Sequence, residues 1–261
     1  MIHNLVLNPD SWMAFLTLVF LEVVLGIDNI IFLTIMANKA PKAQQAKVRN
    51  IGLLLAMLGR ILLLFGVSFL IKLTKPLYTF DSEWLSFIVN GQSVIILLGG
   101  LFLLYKSVSE IHHKLEGRDE LRVVKSNKRG IAMILTQILL LDLVFSIDSV
   151  LTAIGMVSFK EFGYGGAMVI MITAIVVTVG IMLFFSAPVS KFVNNHPTIQ
   201  MLALSFLILI GVTLLVEAGH LAHLTVLGNP IGEIPKGYIY FAILFSLGVE
   251  TLNLRIAKKK K

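Results

Sequence analysis

Read for runs of apolar and polar positions, the chain divides into seven apolar segments near residues 12–36, 49–71, 87–105, 131–155, 164–186, 199–219 and 238–256. Each holds about 19 to 25 residues, enough for a helix rising ~1.5 Å per residue to cross a hydrocarbon layer of roughly 30 Å. The pattern predicts an all-α membrane protein with seven transmembrane helices. Trp12, Trp84, Tyr78, Tyr105, Tyr164, Tyr238 and Tyr240 fall at or within several residues of the segment ends, where an amphipathic ring prefers the headgroup layer.

Sliding the chain against itself by 120 residues aligns Leu21, Glu22, Val24, Ile27 and Asp28 with Leu141, Asp142, Val144, Ile147 and Asp148. The same offset pairs Ile61, Leu63 and Phe65 with Ile181, Leu183 and Phe185, and Gly91 and Gly99 with Gly211 and Gly219. Apolar coincidences are cheap in such a sequence, but two acidic matches six residues apart are not. The expected organisation is a three-helix repeat over 1–105, a basic connector over 106–129, a second repeat over 130–223, and a seventh helix with a basic tail over 237–261. An odd number of spans per repeat makes the second copy enter from the opposite face, the inverted-repeat plan of many secondary transporters.

The repeat places four carboxylates inside apolar spans. A charge at mid-bilayer costs about 2.5 to 3.5 kcal/mol on insertion scales, so it is kept where it meets a partner, a cavity or an ion. Glu22 and Asp28 differ in depth by roughly 9 Å, as do Asp142 and Asp148, and opposed helix directions bring all four into one band. Residues six apart on a regular helix do not share a face, so local unwinding at Gly26 is expected, with Ser146 at the matching position. Asn29, Ser149 and Thr152 add neutral oxygens beside the acids. The candidate metal-ligating set is therefore Glu22, Asp28, Asn29, Asp142 and Asp148, and an all-oxygen cage suits Mn²⁺, Ca²⁺ or Mg²⁺. Arg60, Ser149, Thr152, Glu250 and Asn253 are candidate accessory or gating residues. The bland alternative is that the acids are structural and pair with Arg60. A divalent ion and Arg60 together bring three positive charges against the four carboxylates. About one proton then completes the balance, which motivates exchange of metal against protons.

Composition sharpens this picture. Of 261 residues, 57% are hydrophobic and 14% charged, more apolar surface than a water-facing globule of this size hides. The absence of cysteine excludes thiolate metal sites, iron–sulfur clusters and Cys nucleophiles. The formal charge of +7 sits between apolar blocks and in the Lys258–Lys261 tail, which argues against nucleic acid. Seventeen basic residues fall on one side of the predicted membrane and four on the other, which puts the amino terminus outside and the carboxyl terminus in the cytoplasm. Met1–Ser11 has no Lys or Arg, so the first span is expected to stay in the mature protein as a helix and not to act as a secretory signal. His112, His113, His196 and His223 are expected in loops, His220 near a span end, and none as ligands. The ten methionines and seventeen phenylalanines read as packing, and Gly52, Gly59 and Gly66, seven apart, as close helix contact.

The motifs Glu22-Val-Val-Leu-Gly-Ile-Asp28-Asn29 and Asp142-Leu-Val-Phe-Ser-Ile-Asp148-Ser149 resemble those of the TerC family of bacterial integral membrane proteins, over nearly the whole chain. The resemblance implies a seven-helix inner-membrane protein related to LysE-type exporters, a family with members implicated in Mn²⁺ efflux and tellurite resistance. Its intramembrane acids fall on Glu22, Asp28, Asp142 and Asp148, with Asn29 after the first Asp. The appended soluble domains of longer relatives are missing, so regulation through them is not expected.

The resulting expectation is a secondary-active exporter of a divalent ion, manganese before calcium, in the bacterial inner membrane, coupled to protons or another ion. The ion is cargo, no cofactor is expected, and the lipid bilayer is the expected partner, with oligomeric state left open. No GxxxxGK[ST] motif, nucleophile elbow or HExxH motif is present, which argues against direct ATP drive and against an enzyme. Two alternatives remain: a membrane-embedded assembly or stress partner that does not transport, and an exporter of a small amino acid or organic cation.

Overall fold

The computed structural model describes residues 5, 7–66, 73–116 and 128–259; for a few of these, Asp28 and Asp148 among them, only the backbone is described. Among the described residues there are seven long helices: α1 (Pro9–Ala37), α2 (Gln45–Phe65), α3 (Gly91–Leu115), α4 (Lys128–Met156), α5 (Phe159–Asn195), α6 (Pro197–Leu221) and α7 (Lys236–Lys259). Six are long and apolar enough to cross a membrane, and α1 makes a seventh when its two halves, bent by 43°, count as one span.

The ends follow from local chemistry. Asn8 caps α1, its side-chain oxygen accepting from the Asp10 N–H at 3.0 Å, and Pro9 fills a first-turn position that needs no donor. Gly66 closes α2 at its C-cap, which ends the helix before the predicted residue 71; residues 67–72 lie outside the described residues. At Gly163 the backbone takes φ 65°, ψ 166°, so the first turn of α5 is set off from the long span that follows. That conformation strains any residue with a Cβ.

The all-α expectation needs correcting at one place. Residues 85–90, Leu-Ser-Phe-Ile-Val-Asn, form strand β2 (Leu85–Asn90) and not the start of the third span. A short apolar run rich in β-branched and aromatic residues fits either structure on periodicity alone. Here an antiparallel partner, β1 (Pro76–Asp81), is close in sequence, and the Phe80 and Phe87 rings stack across the pair at 5.2 Å. Strands β3 (Thr225–Val226) and β4 (Asn229–Pro230) complete a sheet of order β1-β2-β3-β4. The switch to helix is enforced at Asn90, whose side chain accepts from the Ser93 N–H at 2.7 Å while the Asn90 N–H donates to the Ser93 hydroxyl at 3.3 Å.

α3 then runs ten residues beyond the predicted end at 105, which leaves Tyr105 inside the helix and not at its end. The polar stretch continues as helix because it is amphipathic: Ser107 and Glu110 are buried, and Lys106 pairs with Glu110 at 3.1 Å, one turn on. His112 and His113 accordingly lie in the last turn of α3 and not in a loop. Residues 117–127 of the connector lie outside the described residues.

The helices gather into two compact units, each drawing on two stretches of chain: Met1–Val67 with Glu120–Asn195, and Ser68–Asp119 with His196–Lys261. In the first, α1 packs most extensively on α5 and α2 on α4. A Cβ added at Gly52 of α2 would meet Ile138 of α4 at 3.2 Å and Leu33 of α1 at 3.3 Å, so this glycine sets a close approach, whereas Gly66 serves as a cap. In the second unit α3 and α6 form the main contact, crossing where a Cβ at Gly100 would lie 3.0 Å from the Gly211 carbonyl oxygen. The Asn90 amide also donates to the Leu221 carbonyl at 2.7 Å, tying the start of α3 to the end of α6. No described residue of α7 is buried.

Because the obstacle at Gly100 is backbone and not a flexible side chain, Gly100→Leu is expected to cost about 1 to 3 kcal/mol through overpacking. Gly180→Ala, where no atom lies within 4 Å of the added Cβ, is expected to be neutral or slightly stabilising. Thermal unfolding of both variants in detergent, followed by size-exclusion recovery, distinguishes them.

Candidate ion site among the intramembrane carboxylates

The first acidic motif lies at the bend of α1, between Pro9–Val24 and Asn29–Ala37. Gly26 sits within it, and the terminal methyl of Met182 on α5 occupies the place a Cβ there would take. The Met182 side chain reaches into the space the glycine leaves, and the weak helix preference of Gly26 lowers the cost of bending. The second motif stays within unbroken helix in α4. Ser146, at the position matching Gly26, is fully buried and donates to Asp142 Oδ2 at 3.1 Å.

The two motifs meet at Arg60. Its Nη2 donates to Asp142 Oδ1 at 2.8 Å and its Nε to Asp142 Oδ2 at 3.4 Å, a two-pronged fork, while Nη1 donates to Glu22 Oε2. All three residues are buried, with 5% of Arg60, 6% of Glu22 and 8% of Asp142 exposed. A planar guanidinium suits this geometry, since its donors diverge toward two acceptors without moving the side chain. The cluster joins α1, α2 and α4. With both acids ionised it carries one negative charge beyond what Arg60 neutralises.

Arg60 and Asp142 also line a cavity of about 20 Å³ with Asn29; its other walls are apolar, including Leu53, Ala56, Phe145 and Met182. A water molecule needs roughly 10 to 15 Å³ of such space, so the volume admits one small particle. Two buried hydroxyls of the same unit, Thr34 on α1 and Thr178 on α5, have no hydrogen-bond partner.

The residues chosen from sequence fare differently. Glu22, Asp142 and Arg60 come together, and half-buried Asn29 shares the cavity wall with Arg60 and Asp142. Ser149 is buried, but its hydroxyl donates to the Ser146 carbonyl at 3.3 Å. Thr152 is half-buried on α4. The side chains of Asp28 and Asp148 lie outside the described residues. Among the described residues no group of three His, Cys, Asp or Glu is arranged to hold a metal. Glu250 and Asn253 belong to the second unit and pair with each other at 3.4 Å, Asn253 donating. Sequence reasoning overlooked Ser146 as a partner of Asp142, although their spacing of four on a helix is the signal that finds it.

A family model described as Integral membrane protein TerC family matches residues 7–261. The UPF0053 inner membrane protein YgdQ of Escherichia coli K12 is 42% identical over 259 residues, 99% of either chain. A UPF0053 protein of Haemophilus influenzae is 42% identical over 255 residues, covering 97% of this chain and 98% of its own. The UPF0053 protein YegH of E. coli K12 is also 42% identical, over 94% of this chain and 42% of its longer sequence. No solved structure matches.

Removing the guanidinium strands two buried carboxylates, so Arg60→Leu is expected to destabilise the protein by about 3 to 5 kcal/mol. Ser146→Ala removes one hydrogen bond to a charged group and is expected to cost about 1.5 to 3 kcal/mol. Detergent thermal-unfolding midpoints that rank Arg60→Leu below Ser146→Ala and both below the parent check the energetic order.

Proposed function

The chain belongs to the TerC family of integral membrane proteins, and from that premise we propose that it is a secondary-active exporter of a divalent metal ion across the bacterial inner membrane. Manganese is the first candidate for the cargo. The observation that carries this reading is the convergence of Glu22 and Asp142, corresponding members of two sequence-matched motifs, beside a cavity with room for one small particle. Structural acids need only neutralisation. Here Arg60 neutralises one of the two charges, and the remaining negative charge lies beside a small cavity walled in part by Asn29 and Asp142, which suits a hard cation bound by oxygens.

The helix pairing supports an inverted 3+3 repeat. If α1–α3 and α4–α6 are equivalent copies, exchanging them turns the α1–α5 contact into α4–α2 and returns α3–α6 to itself, the main packing pairs of the two units. The distribution of basic residues supports an outside amino terminus and a cytoplasmic carboxyl terminus. In this reading Asp28 and Asp148 complete the ligand set with Asn29, the ion is cargo and not a resident cofactor, and the protein is a carrier and not an enzyme. Protons return as the metal leaves, because the same carboxylates bind either.

Purified protein in proteoliposomes is expected to move Mn²⁺ at a rate that depends on an imposed pH or ion gradient. Asp142→Asn and Asp148→Asn are each expected to lower that flux by about ten- to a hundredfold, the usual range for lost or misoriented ligands, while inserting normally. Parent-like Mn²⁺ flux in both variants would remove the carboxylates from the transport site. Saturable amino-acid movement indifferent to metal would replace the cargo.

A further inference from the structure

We propose that Arg60 is a tethered counter-cation: it holds Glu22 and Asp142 while the site is empty of cargo, gives them up to a divalent ion, and thereby rejects monovalent metal ions. The inference rests on the transport reading above and deepens it by assigning a selectivity determinant.

The argument begins with the oxygens. Both Asp142 oxygens receive Arg60 donors, Oδ2 also receives the Ser146 hydroxyl, and Glu22 Oε2 receives the third Arg60 nitrogen. An incoming ion that uses these oxygens meets a guanidinium already on them, and two like charges at contact distance in a poorly screened interior repel strongly. Cargo and Arg60 therefore alternate on the carboxylates. The space next to the cluster, about 20 Å³, is too small for an ion with its water shell, so the carboxylates have to replace lost hydration.

Helical side chains lean toward the preceding turn, which for Arg60 is the turn of Ala56, also on the cavity wall. The guanidinium is never deprotonated, so withdrawal, not neutralisation, is how it leaves.

Charge then decides which ions succeed. A monovalent ion exchanges one positive charge for one and gains no net attraction while losing its hydration. A divalent ion brings twice the charge to the same two carboxylates and displaces the arm. Without Arg60 the carboxylates are available to any small cation.

The test measures Mn²⁺ flux in proteoliposomes of the full chain, with Na⁺ in excess and with choline as its control, for the parent, Arg60→Gln and Arg60→Lys. The parent is expected to be insensitive to Na⁺. Arg60→Gln is expected to lower the KM for Mn²⁺ about tenfold, reduce the maximal rate because release is no longer assisted, and become competitively inhibited by Na⁺. Arg60→Lys keeps the charge but loses the planar fork. It is expected to lower KM by a smaller factor, keep more of the maximal rate, and remain insensitive to Na⁺. A folded Arg60→Gln protein with unchanged or raised KM and no response to Na⁺ overturns the inference. If that variant fails to assemble, an unchanged KM in Arg60→Lys does the same. Parent vesicles that pass no divalent cation overturn the transport reading itself, whereas normal parent flux with unmoved KM values overturns the tethered cation alone.

Discussion

An apolar interior leaves an ionised group nowhere to spread its charge, and the first unit of this protein is arranged around that constraint. Glu22 and Asp142 reach burial because one guanidinium meets both, from a third helix, with donors that already diverge. Neither acid is satisfied by its own helix alone, so α1, α2 and α4 can be in register in few ways. A slip of one residue on any of them would turn a charged side chain by about 100° and strand a charge. Apolar side chains, which tolerate many mutual positions, impose no such condition.

In the second unit the main helix contact is made by close backbone approach. α3 and α6 approach at glycines, with Gly100 facing the Gly211 carbonyl, and Asn90 links their ends. In a membrane, where lipid competes on equal terms for apolar side chains, close backbone approach and hydrogen bonds between helices supply what the hydrophobic effect does not. The contrast divides the labour: a charged cluster joins α1, α2 and α4, and small-residue packing holds α3 to α6.

Much of this was legible in the sequence because the relevant signals are long or costly. Helices of membrane-spanning length announce themselves by composition, and acids inside apolar spans repeated at one spacing, Glu22 with Asp28 and Asp142 with Asp148, are too expensive to be accidental. The family membership followed from those motifs and holds over residues 7–261. What escaped was decided by short-range competition. Residues 85–90 satisfy helix and strand alike until Asn90 and the partner strand choose. The polar stretch after Tyr105 looked like a connector because hydropathy is blind to a one-sided helix such as that carrying Ser107 and Glu110. Arg60 was visible as a candidate, but its place between two acids distant in sequence depends on tertiary packing. Ser146 was noticed only as a mismatch to Gly26, although its hydroxyl supports Asp142.

The bend in α1 divides a helix that is held unequally. Every residue from Ile30 to Ala37 is buried, whereas the segment before the bend turns Met13, Leu16 and Phe20 outward. One half is enclosed by protein, and the other buries Ser11, Leu18 and Glu22 on one side and turns an apolar face outward on the other. A span with such an outward face meets the bilayer along its length, on the far side of the elbow at Gly26. The thickness and lateral pressure of the surrounding lipid thus act on this helix with a lever arm of more than four turns, and the carboxyl group of Glu22 rides on the arm close to the fulcrum.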